Sequence, residues 1–249
     1  SNKTSQNPSD YGMPYGAIDY INSATLEIVK TEPEGPITFT NWWCTTNNST
    51  SNEQKVIAYL QEYGTDVVTL TRASSNFIGS PEAAAAFAEA CGYPYFEYVL
   101  ADPNGCPWAS GDHALGHIIL SRYPMTAEET VWLSETKAFG RVIMGIDGEP
   151  VDIYYGFTDE TAAQAAALGE IVEQNAADTG RRFIISGDDL SAITGSFESG
   201  AIDLFKGAGG SIAVSAGIAM SNKTSQNPSD YGMPYGAIDY INSATLQLA

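Results

Sequence analysis

The chain has two histidines, His113 and His117, and Asp112 stands beside the first. A carboxylate next to an imidazole is raw material for an acid–base pair, and the same residue types can hold a metal. Here they follow a long loop containing Pro103, Gly105, Pro107 and Gly111. A hydrogen-bonded histidine at the surface accounts for that setting, so no chemistry is assigned to either. Cys44, Cys91 and Cys106 are odd in number and lack metal-ligand spacing, which allows at most one disulfide and leaves a free thiol. Asp102-Pro103-Asn104-Gly105 reads as a turn and not as a calcium loop.

Positioning any site requires a frame, and the pattern supplies one. Residues 37–43 and 66–71 read as strands on either side of a helix that starts at a capping box, Ser51 with Gln54, and stops at Gly64. Val56, Ile57, Leu60 and Tyr63 are expected on its inner face. Ser80-Pro81 opens an alanine-rich helix ending at Gly92. Residues 95–101 and 117–121 are further strands. Residues 141–146 and 149–155 flank Asp147-Gly148, the strongest hairpin signal in the chain. A helix from about Glu160 to Ala177 is expected to bury Ala165, Leu168, Ile171 and Val172. Residues 183–186 form a strand running into Gly187-Asp188-Asp189, and 207–219 read as a weak strand or a linker. Strands alternate with helices, but the hairpin interrupts a purely parallel order. The expected class is α/β: a four-layer α/β sandwich of two mixed sheets with outer helices.

One segment occurs twice. Residues 1–26 recur without substitution at 221–246, an offset of 220 residues. Each copy reads as a polar loop (1–16) leading to a strand-like run, within a strand expected over 17–29. The spacing suits one domain with a duplicated end rather than a short-period repeat. The expected organisation is a first copy at 1–29, a body at 30–220 and a second copy at 221–249.

Thirty acidic residues against eleven basic ones give a formal charge of −19. Such a surface repels phosphate backbones, so nucleic acid is an unlikely partner. No stretch reads as apolar enough to span a membrane, and no signal peptide is expected in these residues. Few lysines and many Thr, Ser, Asn, Gly and Tyr residues point to an extracellular or secreted protein.

The order of the pieces resembles the endonuclease/exonuclease/phosphatase family, which has the DNase I-like fold. Its opening strand ends in asparagine, here Ile37-Thr38-Phe39-Thr40-Asn41. Its Asp-Val-Val-x-Leu-Gln-Glu strand is matched by Asp66-Val67-Val68-Thr69-Leu70-Thr71-Arg72. Ile119-Leu120-Ser121-Arg122-Tyr123-Pro124 is similar to another family segment. A hairpin ending in His-Leu falls on Gly156-Phe157, and Gly-Asp-Phe-Asn on Gly187-Asp188-Asp189-Leu190. The closing Ile-Asp-His/Tyr-Ile strand is matched by Ile238-Asp239-Tyr240-Ile241, and again by Ile18-Asp19-Tyr20-Ile21.

The resemblance implies Mg²⁺-dependent phosphoester hydrolysis. A glutamate and an asparagine would hold the metal, an aspartate would activate water and histidines would stabilise phosphoryl charge. Asn41, Asp188 and one of Asp19 or Asp239 survive as vestigial catalytic positions. Arg72 replaces the metal's glutamate, Gly156 the hairpin histidine and Leu190 the asparagine. A guanidinium repels a cation and can pair with Asp188 or Asp239. The expectation is therefore a non-enzyme with no metal ligands and no cofactor. Trp42, Trp43, Phe157, Leu190, Tyr240 and Tyr20, with Arg72, would line an apolar cleft suited to a small organic ligand, although ordinary core filling also accounts for the aromatic residues.

Two copies contend for one strand slot, so the first copy would give a circular permutant and the second the family's usual order. Engineered duplication, a recent tandem array and strand exchange between neighbours all fit. The first reading is a non-catalytic binding or self-assembly module that associates through the duplicated strand. A Mg²⁺-dependent phosphodiesterase or phosphatase with an altered site is the alternative, and an engineered frame-switching small-molecule sensor is the second.

Overall fold

The computed structural model describes residues 3–6, 21–24, 33, 35–44, 50–74, 80–102, 115–135, 137–158, 162–188, 202–206, 211–234 and 240–249. They fall into two units, Ser1–Thr31 and Glu32–Ala249.

The large unit is built on two six-stranded sheets. In the first, β3 (Ile37–Trp43) pairs in parallel with β4 (Val67–Ser74), the two joined through helix α1 (Thr50–Tyr63). β6 (Leu115–Ser121) and β5 (Tyr95–Asp102) extend it on the far side of β4, with α2 (Pro81–Cys91) preceding β5 in the chain. The second sheet repeats the scheme. β9 (Glu149–Phe157) pairs in parallel with β10 (Arg182–Asp188) through α3 (Ala162–Thr179). β8 (Lys137–Ile146) and β7 (Met125–Ser134) lie to one side, β12 (Ser211–Ala216) and β11 (Ile202–Lys206) to the other. Each sheet thus has one parallel pair with a helical crossover, and its remaining neighbours are antiparallel.

The side chains sort by strand parity into three buried layers. Phe39, Val67, Ile119, Val142, Ile153 and Ile184 meet between the sheets. Trp42, Val68, Leu70 and Ile118 face the other way, against Val56 and Leu60 of α1 and Phe87 of α2. Phe139, Tyr154 and Phe183 pack against Leu168 and Val172 of α3. Helix, sheet, sheet, helix is the four-layer sandwich expected from the alternation of elements, and each fully buried Leu, Ile or Phe contributes on the order of 2 kcal/mol.

Local signals explain the boundaries. Ser80 Oγ accepts from Ala83 N at 3.1 Å, and Gly92 takes a left-handed φ of 81° to close α2. Asp147 and Gly148 both have positive φ, 50° and 80°, as a two-residue hairpin turn of the primed type demands.

Of the two readings for 207–219, the strand holds over its described part, which carries β12 and the start of β13 (Ile218–Gln226). Two expectations change. Tyr63 is 49% exposed and not on the inner face of α1. The duplicated segment is not a polar loop plus one strand. In the second copy, 221–226 belong to β13, which pairs antiparallel with β14 (Ile241–Leu248), and β14 lies between β13 and β3.

The small unit contains β1 (Lys3–Gln6) and β2 (Ile21–Ala24), paired antiparallel. Its partners Thr4↔Ser23, Ser5↔Asn22 and Gln6↔Ile21 repeat, residue for residue, Thr224↔Ser243, Ser225↔Asn242 and Gln226↔Ile241 of the second copy. The same sequence adopts the same register twice, so what is duplicated is a strand pair rather than a single strand.

Candidate functional site

The surviving asparagine stands where the two sheets approach. Asn41 is on β3, between Thr69 of β4 and Asn242 of β14 in register. Its side chain lies on the inter-sheet face. Nδ2 donates to Thr69 Oγ1 at 3.2 Å and, across the sheets, to Ser186 Oγ at 3.1 Å. Thr69 Oγ1 and Ser186 Oγ are themselves 2.9 Å apart. Three buried polar side chains from β3, β4 and β10 therefore satisfy one another in a closed triangle. Asn41 Oδ1 is buried and has no hydrogen-bond partner among the described residues.

Asp188 ends β10, two residues beyond Ser186. In register it sits beside Phe157 of β9. Phe157 is completely buried, with the His117 ring edge-on at 5.2 Å and Lys137 Nζ 4.4 Å from its centroid. His117 is buried in β6, which corrects the expectation of a surface histidine. Strand burial on both faces of β6 explains the change: every position from Leu115 to Ser121 is buried.

Gly156 is not the position that could carry the hairpin histidine into this region. A Cβ there would lie 2.7 Å from the Ala138 carbonyl oxygen and 2.8 Å from the Phe139 ring, on the side of the sheet that faces α3. The neighbouring residue on the site face is Phe157. Gly187 is required for a different reason: its Cβ would be 1.8 Å from the Gly156 carbonyl oxygen. No side chain fits, so the glycine before Asp188 is a close-approach residue.

Trp42 leaves the proposed lining. It is fully buried on the helix-facing side, edge-on to Tyr59 at 5.6 Å, because it is one residue out of phase with Asn41. Trp43 returns to the Asn41 side and is buried. Tyr240 is half-buried just ahead of β14. At Arg72 the structure describes the backbone, in β4 within the irregularity between Leu70 and Ala73. Asp19, Tyr20, Leu190 and Asp239 lie outside the described residues, as do Asp112, His113 and Cys106. Cys44 and Cys91 are buried, and burial pushes the Cys91 thiol up to about 12.

Sequence reasoning passed over Thr69, Ser186 and Lys137. The first two had a signal: each is a lone hydroxyl in an apolar run, Val67-Val68-Thr69-Leu70 and Phe183-Ile184-Ile185-Ser186.

Mg²⁺ asks for near-octahedral oxygen ligands, including one or two carboxylates. Among the side chains described, Asn41 Oδ1 offers one neutral oxygen, and no cluster of three His, Cys, Asp or Glu among them could hold a metal. The side chains of Arg72, Asp188, Asp19 and Asp239, which the resemblance would set around the ion, lie outside the described ones.

No family model matches the chain, and no curated protein matches it either. Solved structures do. The human Nocturnin catalytic domain with bound sulfate anion is 8% identical, with a TM-score of 0.66 over 86% of this chain and 94% of that one. A humanized D. rerio TDP2 is 11% identical, with a TM-score of 0.59 over 85% and 99%. An endonuclease/exonuclease/phosphatase from Beutenbergia cavernae is 13% identical, with a TM-score of 0.59 over 87% and 72%. At these identities the likeness concerns architecture: the chain has the DNase I-like fold of the endonuclease/exonuclease/phosphatase proteins.

Proposed function

We propose that this protein is a non-catalytic binding and assembly module on the DNase I-like fold. The observation that carries the reading is Phe157. A phenyl ring, fully buried and packed against His117, stands beside Asp188, one residue past Gly156, the position on which the resemblance places the histidine. A phenyl ring can neither donate a hydrogen bond to a phosphoryl oxygen nor carry charge, so transition-state stabilisation there is lost. Arg72 in the metal glutamate's place removes a second, independent part of the chemistry.

Assembly would run through the duplicated strand pair. In the large unit the slot beside β3 is filled by β14. A first copy taking the same register would set Ile21 opposite Trp42 and Leu26 opposite Ile37, leaving residues 27–36 to close a hairpin. Loop closure of that length is cheap, so the two copies are matched contenders in cis. A copy not used in cis is available to a second chain. Light scattering on the full chain and on a chain ending at residue 220 tests this: the truncated chain should keep the fold with the first copy docked and lose self-association. Unfolding of the truncated chain would count against it.

Asn41 Oδ1 favours a second reading, a Mg²⁺-dependent phosphodiesterase with an altered site. An unpaired buried oxygen beside Asp188's strand is what such a site would use. Hydrolysis that needs the metal separates the two readings.

A further inference from the structure

Where α1 meets the 3₁₀ turn Pro228–Tyr231, the surface holds a depression of about 290 Å³. Three tyrosine rings form its wall. Tyr59 and Tyr231 are 4.7 Å apart centroid to centroid, Tyr63 and Tyr231 5.1 Å, and Tyr59 and Tyr63 5.4 Å. Two carboxylates, Glu62 and Asp230, share the lining with them. Lys55 also lines the depression, so one ammonium stands against two carboxylates, and it donates to the Gly232 carbonyl at 3.3 Å. Lys55, Tyr59, Glu62 and Tyr63 come to one side by helical spacing. Tyr63 is half exposed in a molecule that buries most of its large apolar side chains.

We infer that this depression binds a small organic cation of the quaternary ammonium class. Aromatic faces attract a diffuse cation through the ring quadrupole. Glu62 and Asp230 add Coulomb attraction, and the chain's net charge of −19 raises the local concentration of cations. A neutral ligand of equal shape would gain the apolar contact without either charge term. The Glu62 carboxylate accepts a hydrogen bond from the Tyr63 hydroxyl and raises that phenol's pKa.

The site joins α1 to the closing segment, since Asp230 and Tyr231 belong to the second copy of the duplicate. A bound cation would therefore hold that segment on the body. The inference stands apart from the catalytic question, because none of these residues belongs to the Asn41 cluster.

The test titrates the full chain with choline at low ionic strength, followed by calorimetry and by tryptophan fluorescence, to which Trp42, edge-on to Tyr59, contributes. The comparator is 3,3-dimethyl-1-butanol, which has choline's shape and no charge. Saturable choline binding is expected, with the neutral analogue weaker by about fivefold or more. Tyr63→Ala and Glu62→Gln lie on α1, which occurs once, so the first copy cannot replace them. Each should weaken choline by about fivefold or more while melting is unchanged. If Tyr63→Ala does not fold, Glu62→Gln decides. Equal binding of the neutral analogue, no saturable choline binding, or unchanged affinity in the folded variants would overturn the inference.

Discussion

Asn41 on the first sheet and Ser186 on the second are joined by a hydrogen bond of 3.1 Å through the middle of the sandwich. Thr69 touches both, so the contact is part of a closed polar set inside an apolar interface. Buried sets of this kind stabilise only while complete. Ser186→Ala should cost about 1 kcal/mol, and Asn41→Ala about 1–3 kcal/mol because both hydroxyls lose the amide donor they share and keep only each other. Urea unfolding of both and of the double variant should show coupling, with the double variant less destabilised than the summed singles.

The glycines ahead of the site are steric requirements. Gly187→Ala would force a methyl into the Gly156 carbonyl and should lower stability by more than about 3 kcal/mol. Gly156→His should also destabilise, by about 1–3 kcal/mol, because Ala138 and Phe139 occupy the space. Phe157→His puts the imidazole on the site face and is the substitution to use when reinstating a histidine. Thermal melts of Gly187→Ala and Gly156→His check that the first is the more destabilised.

Burial holds the Glu97 carboxyl above its ordinary value. A raised folded-state pKa means that its stability contribution is complete below the unfolded value of about 4.5 and is lost as pH rises through the folded pKa. Glu97→Gln removes that loss. The variant should be more stable than the parent at neutral pH, and the difference should vanish in acid, as read by urea midpoints across pH.

The duplicated pair makes a genetic prediction. Ile241 is fully buried on β14, and Ile241→Lys in a chain starting at residue 32 should cost more than about 3 kcal/mol. In the full chain Ile21 can take the place of Ile241, so the same substitution should be largely rescued. Ile21→Lys alone should be silent, and the double substitution should behave like the shortened chain. Melting temperatures of the four proteins test this. No rescue would mean that the first copy cannot dock.

Much of the fold was legible because its signals are local. The primed turn at Asp147-Gly148, the Ser80 cap and the Gly92 stop each act within a few residues, and the order of the motifs pointed to the sandwich. The duplicated strand pair was not legible in its first half. Positions 221–226 are all exposed, so an edge strand there needs no apolar alternation and reads as loop. β7 escaped for the same reason, being mostly exposed over its first six residues. The site was half legible: Asn41 was recognisable by its strand, but facing was not. A one-residue phase puts Trp42 in the helix-side core and Trp43 with Asn41. Likewise Gly156 faces α3 while Phe157 lies beside Asp188, and only the paired sheets fix that facing.

The most direct measurement is the rate of cleavage of a generic phosphodiester such as bis(p-nitrophenyl) phosphate by the full chain in Mg²⁺, with and without EDTA. The expected result is no EDTA-sensitive release of nitrophenol above a protein-free control. EDTA-sensitive turnover that disappears in Asn41→Ala, with the variant still folded, would contradict the non-catalytic reading.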